Sequence, residues 1–335
     1  MCIRDRSCVI IFGGMMVSNG GLTAGVVVAF ALWMQRFFEP IRHLTQQYTQ
    51  VQRTMTAGAH IMELKEVDPI IVDAPDAKKL KELNGIIDKD NIVEMNLADP
   101  NSVQQFVDDF TSSAESLDIL INNAGVMACP EMRTSQGWEL QFAVNQIGHF
   151  VLTKGLLPLM QKADGARLVA LSSTGHKISG IRWDDIHFKS SDYDKWAAYG
   201  QSKTAGSLLA VEVDKRMKDS GIRAFGVHPG GIMTPLQRHL ETEEMVALGW
   251  MNEDGEPTER VAKMFKSPSQ GASTSLWAAT SPLLDEIGGV YCEDCDVAKR
   301  QHDSDKNARF IGVADWAVDS EEASRLWEET EKILS

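Results

Sequence analysis

The sequence predicts an α/β protein with a doubly wound parallel sheet, helices on both faces, beginning near residue 92. Three observations carry this reading. Short runs rich in β-branched and apolar residues, such as LDILI and ARLVALSS, alternate with longer stretches of helical periodicity. The runs are nearly continuous in apolar character, as expected of strands covered on both faces. They lead into the turn-forming sequences NNAG, SS and HPGG, at the strand ends where open α/β sheets hold ligands.

Taken in order, IVEMNL (residues 92–97) is β-branched and apolar and is expected to be a buried strand. Asp99 and Pro100 then form a helix start, with proline in the first turn. Val103, Phe106, Val107 and Phe110 give that helix one apolar face. A second strand covers residues 117–121 and runs into NNAG. A long helix is expected over residues 138–160, a third strand over 166–173, and another helix over 195–218. Residues 222–231 form a fourth strand and its loop. Residues 267–280 are expected to be helical, 288–292 a last short strand, and 321–334 a closing amphipathic helix.

A chain of 335 residues that is 43% hydrophobic can form one large domain or two small ones. The net charge of −14, without any basic run, excludes nucleic acid as a partner. Five scattered cysteines give no disulfide framework and point to a reducing, cytoplasmic setting for the α/β part. Cys292 and Cys295 make a lone CxxC, half a zinc site at most; His302 is the nearest third ligand, and no metal site is expected.

The first quarter differs in character. No charge lies between Arg6 and Arg36, and the apolar runs CVIIFGGMMV and LTAGVVVAFALWM are separated by SNGG. Each run is shorter than the roughly 20 residues of a spanning helix, but together they read as membrane-type helices, with membrane association through residues 8–38.

Chemistry concentrates in the α/β part. Tyr199 and Lys203 stand one helical turn apart, on one face of the helix over 195–218. A phenol with a pKa of about 10 is a poor acid–base group at neutral pH, and a neighbouring ammonium is expected to lower it. Ser173 ends a buried strand, where its hydroxyl can reach a substrate oxygen. Asn145 sits inside a helix, an unfavourable place unless its amide has a partner. Singly, these features also fit a solvated helix face and an ordinary turn serine.

NNAG, Asn145 in VNQIGHF, the paired serines, YxxxK and HPGG, in this order and spacing, resemble the short-chain dehydrogenases/reductases, with a retinol-dehydrogenase-like character. The resemblance implies a Rossmann-like sheet and an NAD- or NADP-dependent interconversion of an alcohol and a carbonyl. By it, Tyr199 exchanges the hydroxyl proton, and Lys203 lowers its pKa and bonds the nicotinamide ribose. Ser173 steadies the substrate oxygen, and Asn145 anchors a relay water. Asn122, Ala124 and Gly125 pack against the cofactor. Asn96 stands where the family usually has an aspartate for the adenine. Pro229 and Gly230 face the nicotinamide, and Thr234 bonds its carboxamide or a phosphate. Residues 236–270 would form a substrate lid, with Leu240, Met245, Val246, Leu248, Trp250, Met251 and Phe265 supplying apolar surface. The implied substrate is a small apolar alcohol or carbonyl, and a homo-oligomer is compatible with it.

The segment GGLTAGVVVAFALWMQRFFEPIRHL and the polar helix after it resemble the last membrane hairpin of an ABC exporter, over residues 8–77. No Walker A loop follows, so a transporter fragment without its engine is the alternative reading. Together the two resemblances imply a chimera: residues 1–77 an exporter-like transmembrane fragment and linker, residues 78–335 a truncated dehydrogenase domain. The Thr-Gly-x-x-x-Gly-x-Gly turn expected about 75 residues before NNAG by resemblance is absent from the sequence, so impaired cofactor binding is expected.

Overall fold

The computed structural model describes residues 11, 13–21, 23–26, 28–29, 92–301 and 311–335. The chain divides into two compact units, Met1–Ile86 and Ile87–Ser335. The exporter-like segment and the region of the missing glycine turn lie largely or wholly outside the described residues. In the first unit residues 13–18 are helical. Among the described residues, no helix is long and apolar enough to cross a membrane.

The second unit opens with α1 (Pro100–Ser113), capped by the Asp99 side chain accepting from the Asn101 backbone N–H. Strand β1 (Ile119–Asn122) follows. A short turn of helix, Leu140–Phe142, and a π-helix, Ala143–Gly148, lead into α2 (His149–Met160). Then come β2 (Arg167–Leu171), α3 (Lys195–Met217) and β3 (Arg223–His228). Two short helices, α4 (Thr242–Ala247) and α5 (Glu259–Met264), precede α6 (Pro268–Thr280). Strands β4 (Val290–Glu293), β5 (Asp296–Val297), β6 (Arg300–Gln301) and β7 (Val313–Ala314) and the closing α7 (Ser320–Leu334) complete the unit.

The main sheet has the order β1-β2-β3-β4-β5, with β1 to β4 parallel and β5 antiparallel to β4. Alternation along the strands builds two apolar layers. Leu168, Ala170 and Ala224 pack with Phe150, Leu157, Leu209, Val213 and Trp327 from α2, α3 and α7. Val169, Leu171, Phe225 and Val227 pack with Ala278 and Ala279 of α6 and with Cys292. The doubly wound expectation therefore holds for β2, β3 and β4.

Two expectations need correction. Residues 92–97 do not form a strand: 92–96 carry no regular structure, and 97–98 form a turn. Among the described residues β1 pairs only with β2, so no neighbouring strand completes a ladder for this run, and Ile92 and Val93 are 60% and 61% exposed. The helix expected over 138–160 starts at Leu140 and passes through the π-helix, because the periodicity of apolar residues does not distinguish the two windings. The CxxC is a hairpin: Asp294 and Cys295 connect β4 to β5 with φ of 50° and 57°. A two-residue hairpin loop of this type needs positive φ at both positions. Cys292 is buried, with its thiol pushed up to about 12 by burial, whereas Cys295 is exposed. His302 lies outside the described residues, and no metal-holding group occurs among those described.

Candidate active site

The site forms where β1, β2 and β3 end and α3 begins. Asp194 caps α3 by accepting from the Trp196 and Ala197 backbone N–H groups, which fixes the helix start at Lys195, one turn before Tyr199. The phenol of Tyr199 is buried, with the Ser173 hydroxyl placed to favour its ionised form. Ser173 lies just beyond β2 as the cap of a short 3-10 turn, and its Oγ accepts from the Gly175 N–H at 3.1 Å. Gly175 must lack a side chain here, since a Cβ would lie 2.7 Å from Cε1 of Tyr199.

Lys203 reaches under this pair. Its Nζ donates to the Leu171 carbonyl at 3.1 Å and lies 5.8 Å from the Tyr199 ring centroid. Burial pushes the Lys203 ammonium down to about 8. Burial likewise pushes the Tyr199 phenol up to about 12, and the Ser173 hydroxyl pulls the other way. This corrects the expectation that the lysine depresses the phenol. The ammonium is committed to a carbonyl, and desolvation outweighs its influence on the ring.

Asn145 sits in the π-helix and finds the partners its position demanded. Its Oδ1 accepts from the Val126 N–H, and its Nδ2 donates to the Val126 carbonyl and to Ser202 Oγ, each at 2.9 Å. It thereby ties the loop after β1 to α3, beside Lys203. Gly125 lies in the same corner, where a Cβ would stand 2.9 Å from Asn145 Oδ1 and 3.6 Å from Lys203 Nζ. Asn122, at the end of β1, donates to Thr153 Oγ1 at 2.9 Å and leaves its buried Oδ1 without a partner. Asn122, Gly125, Asn145, Ser173, Tyr199 and Lys203 thus line the strand ends.

The remaining candidates are placed less centrally. Ala124 is exposed on the loop after β1. Asn96 is exposed and spends Oδ1 on the Ala98 N–H. Pro229 and Gly230 follow β3 half-buried; Gly230 has φ of 93°, and a Cβ there would meet the Lys266 side chain. Thr234 is exposed and caps a 3-10 turn through Leu236 N–H.

The lid residues divide. Leu240 is buried and, with Leu236, Met245 and Trp250, packs around Tyr199, Met127 and Ala128. Trp250 stacks edge-on to both Trp196 and Phe265. Leu248 is exposed. Sequence reasoning missed Trp196, one turn before Tyr199 and in ring contact with it, although helical spacing carried the signal. It also missed His176, buried three residues after Ser173, for which the sequence offered no signal.

A parallel sheet ending in a buried tyrosine and lysine beside a half-buried serine, with an asparagine bridging the loop next to them, is the arrangement of an α/β enzyme site. The family model of short chain dehydrogenases matches residues 50–245, beginning inside the segment compared above with an exporter. The chain belongs to the short-chain dehydrogenase family, oxidoreductases that use NAD or NADP. It is 42% identical over 235 residues to a "Probable oxidoreductase" of Streptomyces lividans, covering 70% of this chain and 76% of that protein. It is 36% identical over 234 residues to retinol dehydrogenase 12 of Mus musculus, covering 70% and 66%. A crystal structure of an uncharacterized protein from Mycobacterium paratuberculosis matches with a TM-score of 0.51 at 28% identity, over 72% of this chain and 74% of that one.

Proposed function

We propose that the chain interconverts an apolar alcohol and its carbonyl compound, with NAD or NADP as the hydride carrier and a weakened hold on that carrier. The observation that carries the reading is the placement of the Ser173 hydroxyl and the Tyr199 phenol around Gly175, with Lys203 buried one turn along. Bound NAD or NADP would supply or accept the hydride. Tyr199 Oη gives the substrate oxygen its proton during reduction and takes it back during oxidation. The Ser173 hydroxyl holds that oxygen and stabilises charge developing on it. Lys203, its ammonium lowered to about 8 by burial and donating to the Leu171 carbonyl, would bond the nicotinamide ribose, and Asn145 fixes the loop that closes this corner.

The residues suit the cofactor on two counts: the unpartnered Asn122 Oδ1 offers an acceptor at the end of β1, and the bare Cα of Gly125 leaves room beside Lys203. Asn122, Ala124, Gly125, Tyr199, Lys203, Pro229, Gly230 and Thr234 would hold it, with Asn96 toward the adenine. The ring of Met127, Leu236, Leu240, Met245 and Trp250 around Tyr199 supports an apolar substrate. The weakened hold follows from the absent glycine-rich turn. Losing two or three charge-assisted hydrogen bonds to the pyrophosphate, at about 1.5–3 kcal/mol each, weakens binding by roughly 10²-fold or more.

The test is a fluorescence titration with NADH and NADPH, followed by turnover of a medium-chain aldehyde at the highest cofactor level reached. Millimolar affinity, and turnover lost in Tyr199→Phe, are expected. Saturation at micromolar NAD(P)H refutes the weakened hold. Turnover equal in Tyr199→Phe and the unaltered chain refutes the catalytic assignment.

A further inference from the structure

We propose that His176 is a positioning residue for the Ser173 hydroxyl, locked in its Nδ1–H form by the C-terminal segment. The proposal rests on the assignment of Ser173 to the reaction. A serine just past a strand end needs its backbone held if its hydroxyl is to stay in place, and the Ser173 carbonyl is held twice. The His176 backbone N–H donates to it at 3.0 Å, and His176 Nδ1 lies 2.6 Å from it.

The tautomer follows from the partners. The backbone N–H of Ala314, on β7, points at His176 Nε2 at 3.1 Å. A backbone N–H can only donate, so Nε2 is the unprotonated nitrogen. A neutral ring then carries its proton on Nδ1, where it is donated to the Ser173 carbonyl. The Tyr291 hydroxyl, 3.2 Å from the same nitrogen, accepts part of this bond. The ring is fully buried and tilted against Tyr291. Its pKa is lowered to about 4 by burial, which keeps it neutral near pH 7. The His176 carbonyl is tied as well, accepting from Thr204 Oγ1 on α3 and from Trp316 Nε1, each at 3.1 Å. The imidazole thus joins the serine loop, β4 and β7 while the backbone carbonyl of the same residue ties in α3, and the ring touches no reacting atom.

Amide hydrogen exchange on the full chain tests this without any cofactor. The Gly175 N–H bonds Ser173 Oγ, so its protection reports where that hydroxyl sits. In His176→Phe, which fills the volume without a donor, Gly175 protection should fall at least about tenfold, corresponding to 1.4 kcal/mol. In His176→Asn, whose amide nitrogen can occupy the place of Nδ1, protection should return to within about threefold, well inside that tenfold effect. Unchanged protection in His176→Phe overturns the proposal. Should that variant not fold, nitrogen NMR of the unaltered protein decides: a protonated Nδ1 with a bare Nε2 supports the proposal, and the reverse overturns it. In turnover, His176→Phe should lower kcat with KM little changed, and His176→Asn should recover it. Full kcat in His176→Phe beside a Ser173→Ala variant that has lost activity also overturns it. If Ser173→Ala keeps its activity, the assignment of the serine fails instead, and exchange at Gly175 still decides where His176 holds the hydroxyl.

Discussion

The two sides of the sheet differ sharply in how complete they are. Around β2, β3 and β4, both faces are packed and every residue of β2 is buried. At β1, Ile119 and Ile121 are 39% and 40% exposed, and the apolar run at residues 92–97 finds no strand to join. The groups proposed to handle protons stand on the packed side, whereas Asn96 and Ala124 stand on the open one. The difference teaches that the residues proposed for acid–base work are held by β2, α3 and the C-terminal segment, on the packed side of the sheet.

The largest effect that would sharpen this contrast is chemical. Tyr199→Phe should lower turnover by about 10²–10⁴-fold, the usual scale of positioned proton transfer, while leaving the circular dichroism spectrum unchanged. Loss of fold along with activity would mean that the phenol is chiefly a packing element. Next comes a paired test of stability. Leu168→Ala, at a fully buried position of β2, should cost about 2–5 kcal/mol in urea unfolding, while Ile121→Ala should cost less than about 1 kcal/mol. Equal costs would break the comparison.

A smaller effect concerns acid. Burial lowers His149, His176 and His228, all near the strand ends, to about 4. Between the ordinary histidine pKa of about 6.5 and this lower value, the unfolded chain takes up protons that the folded chain refuses. The stability these neutral rings confer is therefore present above about pH 6.5 and is lost as pH falls toward 4, by on the order of 1 kcal/mol or more for each ring. Glu139 and Glu293, raised by burial, act in the opposite sense. A urea midpoint unchanged from pH 7 to pH 5 would show that the histidines do not dominate. The smallest effect belongs to the open edge: Ile119→Lys should change stability by less than about 0.5 kcal/mol while reducing self-association in light scattering.

Much of the second unit was legible in the sequence because strand and helix periods differ and caps announce themselves, as Asp99–Pro100 and Asp194 do. The Tyr199–Lys203 pairing and the strand-end serine were legible because a helical turn and a strand terminus fix where side chains go. Three things were not. Residues 92–97 have the composition of a strand, but a strand exists only with a partner, and pairing is not written in a single run. The order of burial against charge at Tyr199 depends on how deeply the ring is enclosed, which spacing does not state. His176 is placed by β7, more than 130 residues further along the chain, so only folding brings its second partner to it.

The six residues of the π-helix have a consequence for how this enzyme could be altered. Such a segment accommodates one surplus residue within an otherwise ordinary helix, and the residues on either side of it are phased accordingly. Excising one residue there would let the winding relax to an ordinary α-helix, both flanks keeping their phase while the residues of the bulge turn away from their present directions. Asn145 could then no longer face both Val126 and Ser202. A single deletion would unplug that amide from its sockets while every side chain kept its chemistry.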